Sequence, residues 1–409
     1  MPRDRVGQGR NSVHLRRFNE RLLLQLLRRM GEASKADLAR RADLTNTAVG
    51  SIIDALELDG LIEPAGRRAE GGRGQPAALI RLKPSGAYAI GVRLDRDSLQ
   101  TVLIDFSGTV LARCLHNRLL PTPAEALEIV VADVQSILAD MSEAERERLT
   151  GIGLAQPYNL GAWLRELDLG SAHFKEWDTV DFGALLSEKL ALPVFSENDG
   201  NAASIAELFY GLGSSLDDFL YVFLGPAIGG GVAVGGDCMR GTTGNAADIG
   251  VMPVPNGTLA SAPEPRGRWS ILMARASLNA LVRHLRFHGL AADTHAEIER
   301  QIRDRHPAVD EWIADCVDAL APALRSCICL LDLPVIVFDC DVDAGLIDRL
   351  MTELDTALRH DAPEARDTPN IVRGSFGPDA GAIGAASLPL FFNFSPRAQV
   401  LLGQGSGAA

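Results

Sequence analysis

The chain has 409 residues, 46% of them hydrophobic, and a formal net charge of −13 at pH 7. That length predicts two or three domains, and the hydrophobic content excludes a disordered chain. The sequence lacks both the long apolar run of a transmembrane helix and the apolar core of a signal peptide, so we expect a cytoplasmic protein. Its six cysteines have no C-x-x-C spacing, which argues against a disulfide framework.

Charge is distributed unevenly along the sequence. Basic residues outnumber acidic ones within residues 1–80, whereas the remainder is strongly acidic. This asymmetry is typical of a protein in which one end meets nucleic acid.

The first predicted elements in chain order are three helices. Apolar residues spaced along one helical stripe predict a helix over 11–30. Ser34 and Asp37 form a capping-box pattern in front of a short second helix. Thr45 or Asn46 is positioned to cap a third helix.

A strand, loop and strand follow the third helix. Two short apolar runs flank the basic, glycine-rich stretch "RRAEGGRG" and predict a wing. Helices, short turn and wing together indicate a winged helix-turn-helix domain over residues 1–84, which would place one helix in the major groove of DNA. A small helical protein-interaction module is the alternative for this unit.

The candidate DNA-binding residues are polar or basic and lie on the second helix, the third helix or the wing. They are Lys35, Thr45, Asn46, Thr47, Ser51, Arg67, Arg68 and Arg73. Side chains of these types reach base edges or phosphates. The outward face of the third helix is expected to include Gly50 and Asp54 as well.

From residue 85 the pattern changes to strands and then to strands alternating with helices. This alternation predicts an α/β body over residues 85–395. It opens with an antiparallel meander, and a strand, a glycine turn and a strand recur at about 218–236, so we expect two related lobes with a cleft between them. One helix is predicted over 271–288, and residues 396–409 are predicted to be a flexible tail.

Several motifs of the body resemble those of the ROK family (repressor, open reading frame, kinase). They are "GIGLAQP", "LPVFSENDGNAASIAELFYG", "FLGPAIGGGVAVGGDCMRGTTGNAADIG" and "SFGPDAGAIGAASL". The front unit also resembles the winged helix-turn-helix of the family's regulators. The resemblance implies an actin-like, two-lobed sugar-kinase fold, and a protein that is either a sugar kinase or a repressor that senses a sugar.

The resemblance points to changes on the phosphate-binding side. The kinases carry an Asp-x-Gly-Gly-Thr turn after their first strand, and the matching stretch here is "AIGVRLD", with Arg93 where a small residue is expected. In the second glycine turn, Pro226 and Ala227 replace Thr-Gly, and proline lacks the N–H that a phosphate cradle uses. We therefore expect no ATP site and no cofactor, and the glycines are interpreted as a turn between buried strands.

The sugar-binding side matches the family better. Asn198 and Asp199 match the residues that hold sugar hydroxyls, and in the kinases this Asp is also the catalytic base. Either residue can instead cap the helix that follows, and both roles are compatible. Asp248 replaces the Glu of the family's Gly-Glu-Ile-Gly-His motif, so the predicted ligand residues are Asn198, Asp199 and Asp248.

The family's zinc ligands are absent from this sequence. Val251 replaces the histidine, and Ala260, Ala262 and Arg268 occupy the cysteine positions, so the resemblance implies no zinc there. His284 and His288 are spaced i, i+4, but without a third ligand we interpret them as residues of a surface helix and expect no metal.

These features favour a DNA-binding transcriptional regulator, a repressor whose body senses a sugar or polyol, over an enzyme. The alternative is a sugar kinase with an added DNA-binding domain. A third possibility is a constitutive DNA-binding protein whose sensor is inactive. Because winged helix-turn-helix units read paired half-sites, we expect operator DNA as partner and a homodimer or homotetramer.

Overall fold

The computed structural model describes residues 12–68, 77–161, 174–264, 267–342, 344–360 and 367–402. Within these ranges the chain forms an N-terminal unit, residues 12–82, followed by a larger α/β body. No helix in these ranges is both long enough and apolar enough to cross a membrane.

The N-terminal unit contains helices and a small antiparallel sheet. Its elements are α1 (Ser12–Met30), β1 (Glu32–Ser34), α2 (Lys35–Ala42), α3 (Asn46–Leu58), β2 (Ile62–Arg68) and β3 (Ala77–Leu82). The strand order is β1-β3-β2, with both pairs antiparallel. The helices and the strand pair predicted for this part of the chain are therefore present.

Local capping explains where α2 and α3 begin. The Ser34 hydroxyl accepts a hydrogen bond from the Asp37 N–H at 3.2 Å, and the Asp37 carboxylate accepts one from the Ser34 N–H at 3.2 Å, which confirms the capping box. The Thr45 hydroxyl accepts from the Ala48 N–H at 3.2 Å and caps α3. The left-handed backbone of Asp43 ends α2.

The first lobe of the body is built from the elements that follow. They are β4 (Tyr88–Leu94), β5 (Ser98–Asp105), β6 (Val110–Asn117), α4 (Pro123–Asp140), α5 (Glu143–Arg146), β7 (Leu149–Gln156), α6 (Phe182–Leu190), β8 (Val194–Asn198) and α7 (Asp199–Phe209). The strand order is β6-β5-β4-β7-β8, with β4, β7 and β8 parallel and the meander antiparallel.

The second lobe repeats this arrangement. Its elements are β9 (Phe219–Leu224), β10 (Ile228–Val234), β11 (Asp237–Cys238), β12 (Pro253–Val254), β13 (Ser270–Ile271), α8 (Leu272–Arg275), α9 (Leu278–Phe287), α10 (His295–Arg303), α11 (Pro307–Leu331), β14 (Val335–Cys340), α12 (Ala344–His360) and β15 (Asn370–Arg373). The five-stranded sheet of this lobe has the order β11-β10-β9-β14-β15. When strands are counted in chain order within each sheet, both lobes have the order third, second, first, fourth, fifth. The expectation of two related lobes is confirmed.

Two helices lie at the centre of the body: α7 and α13 (Ala380–Phe394) pack on each other, α13 covers β4 and β7, and α7 covers β10. Glycines allow these close contacts. A Cβ atom at Gly153 of β7 would lie 1.8 Å from the Ala385 carbonyl oxygen, and one at Gly200 of α7 would lie 2.3 Å from the Gly230 carbonyl oxygen. Helix α7 is therefore clamped between the sheet of the second lobe and α13.

Several boundaries differ from the sequence predictions. The predicted helix over 271–288 is two helices, because the extended backbone of Ser277 ends one and caps the next. Of the predicted glycine turn, only residues 225–227 turn, whereas Gly229, Gly230 and Gly231 belong to strand β10. These three glycines either contact neighbouring residues through their backbone or line the cleft between the lobes.

The predicted flexible tail begins with ordered structure. Helix α14 (Ala398–Leu401) packs against α1, and Val400 is buried. Arg397 donates to the Asp237 carboxylate at 3.0 Å and its guanidinium lies 4.6 Å from the Phe392 ring centroid. The prediction is therefore wrong for residues 396–402, and residues 403–409 lie outside the described ranges.

One hydrophobic core joins the N-terminal unit to the body. It runs without interruption from Leu23 and Leu27 of α1 through Phe106 and Phe209 to Phe391 of α13. The N-terminal unit is therefore packed onto the body through buried apolar contacts.

Candidate functional site

A cleft of about 1090 Å³, including its open mouth, lies between the two lobes. Residues at the carboxyl ends of β4 and β8 in the first lobe and of β9 in the second lobe line this cleft. Carboxyl ends of strands in an open α/β sheet are the usual place for a ligand site. All three predicted ligand residues line this cleft.

Asn198 and Asp199 both cap helix α7 and face the cleft. The Asn198 side-chain oxygen accepts from the N–H groups of Gly200 at 2.9 Å and Asn201 at 3.4 Å. One Asp199 oxygen accepts from the Gly200 N–H at 2.9 Å. Burial raises the pKa of Asp199 and nearby Asp95 raises it further, while Arg93 opposes both. Capping therefore leaves both residues facing the cleft, and a ligand at Asp199 would contact the first turn of α7.

Hydrogen bonds connect Asn198 to Asp248 through Asn245, a residue that was not predicted from the sequence. The Asn198 amide donates to the Asn245 side-chain oxygen at 3.4 Å, and the Asn245 amide donates to the exposed Asp248 carboxylate at 2.8 Å. These side chains form a row of donors and acceptors along one wall. The only sequence signal for Asn245 is its place three residues before Asp248.

Arg93 fills the base of the cleft and joins the two lobes. Its guanidinium lies 3.1 Å from the Asp95 carboxylate and 3.7 Å from that of Asp341 at the end of β14. It also lies 6.0 Å from the Phe223 ring centroid. A side chain at Gly381 would collide with it, since a Cβ there would lie 2.6 Å from the Arg93 side chain.

The charges around Arg93 are coupled by burial. Burial is the largest single influence and lowers the pKa of the guanidinium, but the carboxylates around it, Asp341 and Asp95 foremost, together outweigh burial and the net shift is upward. Burial raises the pKa of Asp341 to about 6, against the opposing effect of Arg93. Arg93 is thus a permanent cation that keeps a buried Asp341 ionised near neutral pH.

The turn between β9 and β10 has few free N–H groups. The Gly225 N–H donates to the Ala227 carbonyl at 2.9 Å, and Pro226 has no N–H to offer. A phosphate cradle needs several N–H groups aimed at one point. This turn presents one such group, that of Ala227, at most.

The N-terminal unit exposes most of the predicted DNA-binding residues. Those with exposed side chains are Lys35, Thr45, Asn46, Thr47, Ser51, Arg67 and Arg68. Arg73 lies outside the described ranges. Gly50 is buried, so its predicted outward position is wrong: a Cβ there would lie 2.1 Å from the Lys35 ammonium nitrogen, which crosses it.

Arg68 is engaged within the unit. Its guanidinium lies 2.7 Å from the Asp37 carboxylate, which also pairs with Arg40 at 2.5 Å. Hydrogen bonds from Ser34, followed by the interaction with Arg68, hold the pKa of Asp37 at about 2. The wing strand β2 is therefore tied to the capping box of α2, and Arg67 is the exposed wing arginine without such a tie in the described ranges.

Arg28 of α1 lies in an aromatic pocket of the body. Its guanidinium carbon is 3.9 Å from the Phe209 ring centroid, 4.8 Å from that of Phe106 and 5.1 Å from that of Tyr210. Burial lowers its pKa, and Tyr210 opposes the shift. Phe209 ends α7, and Asp199 begins it, so one helix of roughly 16 Å joins the cleft to the N-terminal unit.

His284 and His288 are not both surface residues. His284 is buried, and the Glu311 carboxylate lies beside both imidazoles. The expectation of a surface helix without a third ligand is therefore wrong.

The repeated strand order of the two lobes and the cleft between them define an actin-like sugar-kinase fold of mixed α/β type. The ROK family model matches residues 89–390, and the chain belongs to the ROK family.

Named relatives include both regulators and kinases. The chain is 26% identical over 269 residues to the xylose repressor of Bacillus spizizenii, with 66% of this chain and 68% of that protein covered. It is 28% identical over 321 residues to the glucokinase of Thermotoga maritima, with 73% and 96% covered. A solved ROK family transcriptional regulator, a homologue of the E. coli MLC protein, aligns with a TM-score of 0.69 at 19% identity, covering 96% of this chain and 99% of that one.

Replacing Arg93 with Ala should destabilise the protein by about 3–5 kcal/mol, because it leaves the buried carboxylates Asp95 and Asp341 unpaired. The loss of unfolding free energy caused by Arg93→Ala should be larger at pH 8 than at pH 5. Without Arg93 the raised pKa of Asp341 rises further, so at pH 5 that carboxyl is protonated and costs little. Calorimetric melting at both pH values measures this.

Adding Asp341→Asn to Arg93→Ala should recover part of the lost stability. Arg16→Ala, which removes an exposed pair with Glu20, serves as the control and should change little. An Arg93→Ala protein as stable as wild type at pH 8 would contradict this account of the cleft base.

Proposed function

We propose that this protein is a transcriptional repressor that binds DNA through its N-terminal unit and senses a small carbohydrate in the cleft. The observation that carries this proposal is the connection made by α7, whose first turn contacts the cleft and whose last residue packs on Arg28 of α1. A regulator requires such a connection between its ligand site and its DNA-binding unit.

The N-terminal unit fits a winged helix-turn-helix. Helices α2 and α3 meet at a three-residue junction, and the pair β2 and β3 forms the wing. Asn46, Thr47 and Ser51 are exposed at the start of α3, where a recognition helix contacts base edges. The relative named xylose repressor supports the same function.

We further propose that the protein acts as a homodimer or homotetramer on paired half-sites.

The ligand is proposed to be a sugar or polyol. Asn198, Asp199, Asn245 and Asp248 alternate donors and acceptors along one wall, as neighbouring hydroxyl groups require. An Asp carboxylate accepts charge-assisted hydrogen bonds from hydroxyls in fixed directions. Sugars are the first ligands to test because relatives of this chain are named xylose repressor and glucokinase.

The alternative is a sugar kinase with a DNA-binding domain, and the cleft argues against it. Asp199 is suitable as a base, but a base needs a nucleophile and an electrophile held together. Arg93 and its carboxylates fill the base of the cleft, and Pro226 removes an N–H from the second turn. We infer that Asp199 binds a hydroxyl and transfers no phosphoryl group.

We propose that the signal passes through α7. A hydroxyl bound at Asp199 or Asn198 competes with the hydrogen bonds that cap this helix. Because α7 is one continuous helix packed on β10 and α13, a displacement of its first turn would also displace its far end. Its far end would then alter the pocket that holds Arg28 and, with it, the position of α1.

Replacing Arg67 with Ala should weaken binding to specific and nonspecific DNA alike and lower the salt slope of binding by about 1, because one phosphate contact is lost. Arg68→Ala should also lower the melting temperature, since Asp37 loses a partner. Fluorescence anisotropy on a duplex obtained by in vitro selection measures the slope. Arg359→Ala, far away on α12, controls for net charge. An unchanged slope in Arg67→Ala would remove the wing from the interface.

Replacing Asp199 with Asn should lower sugar affinity ten- to a hundredfold, because a charged hydrogen bond contributes about 1.5–3 kcal/mol. DNA affinity without sugar should stay the same. A thermal-shift screen of pentoses, hexoses and polyols finds the ligand, and calorimetry compares wild type, Asp199→Asn and the exposed control Asp355→Asn.

ATP turnover with the same sugars separates the two functions. Wild-type protein that phosphorylates a sugar at an enzyme-like rate would overturn the proposal in favour of the kinase. An Asp199→Asn protein with an unchanged sugar response would show that the ligand binds elsewhere.

A further inference from the structure

Two histidines and a glutamate converge where α9 meets α11. His284 lies in α9, His288 directly follows it, and Glu311 lies in the first turns of α11. Their ligand atoms all lie within 4.8 Å of one another. In the described ranges this is the one cluster of His, Cys, Asp or Glu side chains with that property.

The separations suit a shared ion. The Nε2 atoms of His284 and His288 lie 3.1 and 3.2 Å from the same Glu311 oxygen. Two ligands that each bind zinc at about 2.0–2.2 Å in tetrahedral geometry are about 3.4 Å apart. A small outward shift of Glu311, which is exposed, brings its oxygen to that spacing from both Nε2 atoms.

His284 is held in the orientation that a ligand needs. Its side chain is 2% exposed, and its Nδ1 lies 2.7 Å from the Ser261 hydroxyl oxygen. When Nδ1–H donates to this hydroxyl, the Nε2 lone pair is left for a metal, which is the usual support of a metal-binding histidine. Burial lowers the pKa of His284, and His288 adds to this while Glu311 opposes it.

We propose that His284, His288 and Glu311 bind a divalent transition metal of the zinc type, with water as a further ligand. Two imidazoles and one carboxylate with an open position are a common zinc set. His288 and Glu311 are partly exposed, so an ion reaches the site from solvent. None of these residues occupies a position of the family's cysteine-rich zinc set, discussed above for Val251.

The metal would join two helices of the second lobe. His284 and His288 lie at the end of α9, and Glu311 lies near the start of α11, 23 residues further along the chain than His288. Binding would therefore hold together helices that otherwise meet through apolar packing and these ion pairs. This role is independent of DNA binding and of sugar binding in the cleft.

The test uses full-length protein stripped with a chelator and titrated with ZnCl₂ by calorimetry at pH 7.5. We expect one zinc per chain, a raised melting temperature and loss of binding at pH 5, because protons compete for the imidazoles. His288→Ala and Glu311→Gln should each weaken binding at least tenfold. His360→Ala, an exposed histidine on α12, should leave it unchanged.

Substitution of partly exposed residues avoids disturbing the core, and melting of the metal-free variants checks that they fold. If a variant fails to fold, cobalt replaces zinc in wild-type protein, and its visible spectrum should show nitrogen and oxygen ligands without thiolate. The proposal is overturned if wild-type protein binds no zinc, or if both variants bind it as tightly as wild type. A pH-dependent melting temperature that is the same with and without zinc would instead assign the cluster to histidine–glutamate ion pairs alone.

Discussion

The structure depends on how one buried cation, Arg28, is accommodated. Its guanidinium is surrounded by the rings of Phe106, Phe209 and Tyr210, and it has no carboxylate partner in the described ranges. Desolvated cation–π contacts contribute about 2 kcal/mol, whereas burying an unpaired charge costs several, so the pocket is stable only when all its walls are in place. The end of α7 supplies two of these walls, because Phe209 is its last residue and Tyr210 directly follows it. The orientation of α1 is therefore bound to the position of α7.

A second buried arginine gives the cleft its chemistry. Arg93 draws a carboxylate of each lobe, Asp95 and Asp341, together at the base of the cleft. Polar side chains suited to binding hydroxyl groups, among them Asn198 and Asp199, line another wall of the cleft. The proposed sensor role is consistent with a cleft that keeps hydroxyl-binding side-chain types but presents few N–H groups to a phosphate.

Features set by neighbouring residues were predictable from the sequence, and features set by distant ones were not. The Ser34–Asp37 capping box and the Thr45 cap depend on three-residue spacing, and both were found as predicted. The pocket of Arg28 combines residues 78 to 182 positions away, and Glu311 lies 23 positions beyond His288, so no local pattern reveals either. Gly50 was misplaced because Lys35 of another helix crosses it.

Coupling between the cleft and the N-terminal unit is measured most directly by reciprocal binding. Operator affinity with and without sugar, and sugar affinity with and without operator, must change by the same factor in wild-type protein. In Arg28→Met, which removes the charge but keeps much of the volume, we expect this factor to approach one while each ligand still binds alone. Arg17→Met, an exposed position on the same helix, should keep the wild-type factor. Full coupling in Arg28→Met would contradict the account.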